Sequence, residues 1–205
     1  RILAALHQVD HIEVGLERHG RPGNYFARQI DRWSKQYRAS QTDDLAEMDR
    51  LIDWMPEHIP AGDETAVIHG DYRIGNTLIH PSEPRIAAIL DWELSTLGHP
   101  LGDLSYHPAY AHQTEFQPII DELPERGIPT EDEWRQRYCQ LTGRGDIENW
   151  NFYVAYNLFR LAGIVQGVYK RALDGIASSE LEIDSQRDGV AHCSQRAWQL
   201  VEEMS

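Results

Sequence analysis

His69-Gly70-Asp71-Tyr72-Arg73-Ile74-Gly75-Asn76 is followed, fifteen residues after its last member, by Asp91-Trp92-Glu93. Polar and ionisable side chains concentrate in these two stretches, and strand-sized apolar runs bracket them. Ala66-Val67-Ile68 precedes the first and Thr77-Leu78-Ile79 follows it; Ile86-Ala87-Ala88-Ile89-Leu90 leads into the second after a turn at Pro81-Ser82-Glu83-Pro84. Apolar runs of this size between turn formers read as short strands. Asp71, Asn76 and Asp91 are thus expected to project from loops held by small β ribbons. Loops on a rigid scaffold often carry catalytic side chains.

Outward from this centre the chain reads as helical. Residues 1–10 look like the end of a helix, and a turn region follows at Gly15, Gly20 and Gly23. From Asn24 to Arg38, the residues Phe26, Ile30, Trp33 and Tyr37 recur at helical spacing. Thr42 is placed to cap a further helix with the stripe Leu45, Met48, Leu51, Ile52 and Met55, ended by Pro56 and Pro60. Thr130-Glu131-Asp132-Glu133 reads as a capping box for a helix over 131–142 that stops at Gly143. Residues 150–173 form a long, largely buried helix, and Ser178 or Ser179 starts the last one, which runs towards Met204. Three short ribbon segments cannot make a sheet-based domain. The fold class is α+β, predominantly α.

Composition bounds the function. The 205 residues carry 33 carboxylates against 19 Lys and Arg, a formal net charge of -14. That balance argues against nucleic acid or an anionic membrane as the main partner, since both attract basic surfaces. Length gives one domain or a large part of one. Cys139 and Cys193 are too few and too isolated for a disulfide framework, so a reducing, cytoplasmic setting is expected. No apolar run approaches the ~20 residues of a membrane span.

The central stretch resembles the catalytic loop of the protein-kinase-like phosphotransferases, above all the aminoglycoside phosphotransferase and choline kinase branch. There the loop reads H-x-D-x-x-x-x-N, and His69, Asp71 and Asn76 stand at that spacing. Asp91 opens the second motif, and Gly98-His99-Pro100-Leu101-Gly102-Asp103-Leu104 looks like the G-x-P-x-x-D-L segment of the branch. Leu6-His7, the region of Gly20-Arg21-Pro22, Arg32-Trp33-Ser34-Lys35-Gln36 and Phe159-Arg160-Leu161-Ala162 extend the likeness to one subgroup. That subgroup comprises phosphotransferase-like domains found alone in bacteria or fused to acyl-CoA dehydrogenase modules in some animal proteins.

The resemblance implies an ATP-dependent transfer of a γ-phosphoryl group to a hydroxyl of a small molecule. A hydroxyacyl-CoA-like metabolite is the expected acceptor, with an aminoglycoside as the alternative. Phosphoryl transfer needs a positioned hydroxyl, bound Mg²⁺ and neutralised charge. By resemblance Asp71 orients the hydroxyl and accepts its proton, Asn76 and Asp91 hold Mg²⁺, and Arg73 stands where a cation would meet the transferred phosphate. Glu93, in place of the Gly of D-F-G, is either an extra metal ligand or a solvated neighbour, and the metal shell is preferred. His69 and Asp103 are expected to support the loop structurally.

Other readings of the same residues are open. His69 and Asp71 with His80, His99, His107 and His112 could suggest a zinc or di-metal hydrolase, but no H-E-x-x-H occurs and Asn76 has no part in such a site. Trp33, Trp54, Trp150, Phe152 and Tyr156 are expected in the core, while Tyr106, Tyr110 and His112 are core or pocket residues. No Gly-rich phosphate loop or strand lysine occurs; the two lysines, Lys35 and Lys170, lie in helical patterns. The expectation is that residues 1–205 are the C-terminal helical lobe of a kinase-like fold, without the nucleotide-gripping N-terminal lobe. A catalytically silent, kinase-like binding module is the competing function.

Overall fold

The computed structural model describes residues 1–112, 122, 124–176 and 183–204. In chain order the described elements are α1 (Ile2–His7), α2 (Tyr25–Ser40), α3 (Ala46–Trp54), β1 (Ala66–Ile68), β2 (Thr77–Ile79), β3 (Ile86–Ile89) and β4 (Thr96–Gly98). There follow α4 (Pro100–Leu104), α5 (Tyr106–Ala111), α6 (Glu131–Thr142), α7 (Trp150–Leu173) and α8 (Ile183–Glu202). The fold is predominantly helical with small antiparallel ribbons, as expected. The chain divides into two compact units.

The first unit comprises Arg1–Tyr25, Gly62–His107 and Pro129–Glu148. Its ribbons are nested. β1 pairs with β4, Ala66 opposite Gly98 and Ile68 opposite Thr96, while β2 pairs with β3 inside that frame, Thr77 opposite Ile89. The outer strand β1 is buried along its whole length, whereas Leu78 and Ile79 on the inner ribbon stand exposed. β4 has no counterpart among the strand-sized apolar runs of the sequence, where Gly98 belongs to a motif. Its close packing explains the glycine: a Cβ there would lie 2.5 Å from Ile68 Cδ1 and 2.7 Å from Tyr25 Cε2. The Thr130 capping box is present in full, Thr130 Oγ1 accepting from the Glu133 amide at 3.2 Å and Glu133 Oε2 accepting from the Thr130 amide at 2.8 Å. A bidentate Arg144–Glu64 ion pair ties the loop after α6 to the segment before β1.

The second unit comprises Phe26–Ala61, Pro108–Ile128 and Asn149–Ser205, as far as these are described. Helix α7 packs along α8, and α3 also packs on α8. Apolar residues run nearly all round α7, so it fills the core: Phe152, Tyr156, Leu158 and Phe159 are fully enclosed. The Phe26 ring meets Phe152, Tyr153 and Tyr156 at centroid distances of 5.6, 5.4 and 5.0 Å. Trp33 and Trp150 are buried as expected; Trp54 is only half-buried and stacks on His58 at 4.0 Å.

Thr42 does not cap α3, which starts four residues later with no side-chain cap at Leu45. Thr42 Oγ1 instead accepts from Gln166 Nε2 at 3.0 Å, and the same nitrogen donates to the Ser40 carbonyl at 2.7 Å. A buried glutamine needing acceptors has captured the hydroxyl. Ser178 and Ser179 lie outside the described residues; the described part of the last helix begins at Ile183. Among the described residues no helix is long and apolar enough to cross a membrane. Cys139 and Cys193 are free and buried.

Candidate active site

The loop between β1 and β2 is fixed first through its backbone. The Asp103 carboxylate, 1% exposed, accepts the His69 amide at 2.7 Å on Oδ2 and the Gly70 amide at 2.9 Å on Oδ1. Burial pushes this carboxyl up, but the hydrogen bond and charge of His7 and the two amides outweigh it and hold its pKa below the ordinary value. Gly70 turns the chain at φ +84, where a side chain would be strained; a Cβ would also lie 2.6 Å from the Leu94 carbonyl oxygen.

His69 is completely buried. Its Nε2 lies 2.9 Å from the Leu90 carbonyl oxygen, which can only accept, so Nε2 carries the proton. Nδ1 is then the acceptor for the Asp71 amide at 3.2 Å. The ring packs on Trp92 at 4.7 Å, and the Leu90 amide donates to the Asn76 carbonyl at 2.8 Å. Through these contacts the loop and the Asp91-Trp92-Glu93 segment are assembled as one structure.

Asp71 and Asn76 meet directly. Asn76 Nδ2 donates to Asp71 Oδ2 at 2.7 Å and to the Asp71 carbonyl at 3.0 Å. Two acceptors on that side set the amide's orientation, so Asn76 Oδ1 is turned away as a free acceptor. Arg73 Nε approaches Asp71 Oδ2 at 3.3 Å from a partly exposed position. Asp71 Oδ1 is enclosed and has no hydrogen-bond partner. An unsatisfied buried carboxylate oxygen is costly, and such atoms mark sites awaiting a donor.

Asp91 adopts a left-handed conformation, φ 64 and ψ 60, and is exposed. Asp tolerates that region better than most residues, yet it stays uncommon and gathers at functional sites. Glu93 follows on an exposed helical turn at Trp92–Leu94. The oxygen donors of Asn76 and Asp91 fit a hard divalent cation such as Mg²⁺, which uses few protein ligands and keeps waters. Among the described residues no three His, Cys, Asp or Glu side chains are grouped so as to hold a metal ion by themselves.

The remaining histidines are dispersed. His99 caps α4 through Nδ1, which accepts the Leu101 amide at 3.2 Å, and burial chiefly pushes its pKa down to about 4. His107 packs on Trp134 at 5.4 Å, His80 lies 3.7 Å from Glu83, and the His112 carbonyl accepts from His192. Among the described residues these histidines form no metal-sized group. Tyr106 is buried, while Tyr110 and His112 are half-buried. Two residues without an assigned role in the sequence reading join the network: His7 Nε2 donates to Asp103 Oδ2 at 3.1 Å, and His7 Nδ1 lies 2.7 Å from Tyr138 Oη. Only the Leu6-His7 text of the resemblance touched this feature; nothing in the sequence linked Tyr138 to it.

A family model described as "Phosphotransferase enzyme family" matches residues 1–153. Acyl-CoA dehydrogenase family member 10 of Mus musculus is 42% identical over 184 residues, covering 87% of this chain and 17% of that protein. Acyl-CoA dehydrogenase family member 11 of Homo sapiens is 41% identical over 183 residues, covering 87% of this chain and 24% of its own length. The chain thus spans a quarter or less of these relatives. Among solved structures, a protein from Ralstonia eutropha JMP134 assigned as an aminoglycoside phosphotransferase superposes with TM-score 0.91 at 46% identity, covering 98% of this chain and 63% of that one. A choline kinase from Cryptosporidium parvum superposes with TM-score 0.59 at 12% identity over 98% of this chain and 64% of its own, a likeness of fold alone.

Proposed function

This chain belongs to the phosphotransferase enzyme family, and we propose that it carries the catalytic loop of a small-molecule kinase that moves the γ-phosphoryl group of ATP to a hydroxyl. The carrying observation is the Asp71 carboxylate: Asn76 and Arg73 orient its Oδ2, while the side chain keeps 14% of its surface open. An acceptor hydroxyl would reach it from that open side. Asp71 then orients the hydroxyl and takes its proton as the oxygen attacks phosphorus. Asn76 and Asp91 would hold Mg²⁺, with Glu93 a further carboxylate at the edge of the site. When bound, that ion neutralises phosphate charge. Arg73 steadies the Asp71 carboxylate and places a cation beside the reacting group.

The acceptor we favour is a hydroxylated acyl thioester. Support comes from the mouse and human relatives, named as acyl-CoA dehydrogenase family members, at 41–42% identity to this chain. An aminoglycoside is the second acceptor class, supported by the name of the Ralstonia protein. The test uses the longest native gene product, ATP and Mg²⁺ against panels of hydroxyacyl-CoA compounds and aminoglycosides, with Asp71→Ala as the control. Transfer that disappears in a folded Asp71→Ala variant supports the kinase. Biological activity unchanged by that substitution identifies a silent binding module instead.

A further inference from the structure

We infer that a cavity of about 300 Å³ in the second unit is a binding site for a small organic cation, an ammonium group on a short carbon chain. The inference stands apart from the kinase reading, because Asp71 and its loop belong to the first unit. The cavity is lined by the connection between α2 and α3 together with α7 and α8, and its size is at the low end for small-molecule pockets. Leu45, Tyr169 and Val190 give it an apolar side that a hydrocarbon body can cover. Charge selects the guest. Asp43, Asp44 and Asp188 line the cavity against one cation, Arg187. Asp43 is already engaged: Arg187 Nη2 lies 3.3 Å from its Oδ1, and the Thr42 hydroxyl donates to its Oδ2 at 3.0 Å. Asp44 and Asp188 stand exposed, with no cation paired to them among the described residues. An anion is repelled there. A bare metal ion needs converging ligands, and among the described residues no three His, Cys, Asp or Glu side chains are grouped to hold one. An ammonium group needs only separate acceptors, one for each of its N–H donors.

A second observation is independent of the carboxylates. Gln166 is 2% exposed and lines the cavity. The Thr42 hydroxyl gives its hydrogen to Asp43, so Thr42 Oγ1 accepts from Gln166 Nε2 at 3.0 Å; the same nitrogen donates to the Ser40 carbonyl at 2.7 Å. Both amide hydrogens are thus committed, which sets the orientation of the amide. Its Oε1 is left without a donor among the described residues, on a residue that a ligand in the cavity touches. A buried amide oxygen needs a donor, and an ammonium group supplies three. The two bonds from Gln166 also hold the connection that carries Asp43 and Asp44. The acceptors are therefore in place before a ligand arrives, which lowers the cost of binding.

Titration of n-butylammonium into the full-length protein, followed by NMR at fixed ionic strength, tests the site, with n-butanol as the uncharged probe. Saturable binding is expected at about 1 mM, moving the Gln166 side-chain amide and the backbone amides of Leu45 and Val190. Butanol should bind about tenfold more weakly or not at all. Asp44→Asn with Asp188→Asn alters exposed residues only and should weaken the ammonium about tenfold. Asp184→Asn removes a charge from the same helix outside the cavity lining, and should leave binding within about twofold. Shifts at Gln166 that never saturate would overturn the inference, and so would butanol binding as tightly, which would make the cavity merely apolar. An equal loss in Asp184→Asn and in the double variant would overturn it too, because net charge alone would then explain the attraction. The butanol comparison needs no variant, so it decides the matter even if the double substitution does not fold. None of these readouts uses phosphotransfer, so failure of the kinase reading leaves the result intact.

Discussion

Asp71 combines a fixed oxygen with an unsatisfied one, a state that favours chemistry over stability. Asp71→Asn should lower kcat about 10²- to 10⁴-fold without lowering Tm, because the substitution removes a buried charge; a kinetic assay beside thermal unfolding checks both. Gly70 is the residue that makes this placement possible. Gly70→Ala forces a side chain into φ +84 and against the Leu94 carbonyl, and should cost about 1–3 kcal/mol. Urea titration reads that cost as a lower midpoint, and an unmoved midpoint would sink the strain argument. Asp103 has its pKa depressed in the folded state. Its contribution is therefore complete above the unfolded carboxylate value and is lost as pH falls through the folded one. Asp71, Asn76 and Asp91 were legible as an ordered polar set because their spacing lies along the chain. The state of His69 was not: only the Leu90 carbonyl and the Asp71 amide decide which ring nitrogen carries the proton.

At the scale of elements, α4 is held at its start by a neutral histidine. Burial, aided by Arg144 and opposed by Glu64, lowers the His99 pKa from 6.5 to about 4. The unfolded chain takes up that proton first, so stability should be complete above pH 6.5 and fall as pH drops from 6.5 towards 4. The full loss is about 3 kcal/mol on the scale of 1.4 kcal/mol per unit. His99→Asn keeps a capping acceptor without that titration and should flatten the decline; an equal slope in both proteins refutes the assignment. In α7, Gly163 faces Trp33 with room for a methyl group, a Cβ lying 3.5 Å from the ring. Gly163→Ala should stabilise the protein by about 0.5–1 kcal/mol through helix propensity, read as a higher urea midpoint. Helices over 131–142 and 150–173 were legible because capping and periodicity are local. The pairing of β1 with β4 was not, since three residues carry too little pattern to name a partner.

For the whole molecule, the net charge of -14 sets a testable background. Self-repulsion at one sign of charge opposes compactness, and the screening length shrinks from about 30 Å at 0.01 M salt to about 8 Å at 0.15 M. Tm should therefore rise between those salt concentrations in a monovalent salt; a flat or falling Tm would show that local ion pairs such as Arg144–Glu64 outweigh the global term. The helical class and the ordered polar set can be read from the chain alone, because helix periodicity and motif spacing are written in neighbouring residues. What holds that set in place emerges with folding. Asp103 reaches back 34 residues to the His69 amide, His7 reaches forward 96 to Asp103, and Tyr138 stands 131 residues from His7. A buried polar group takes whichever partner packing brings within 3 Å, and no local pattern in the chain records which one that will be.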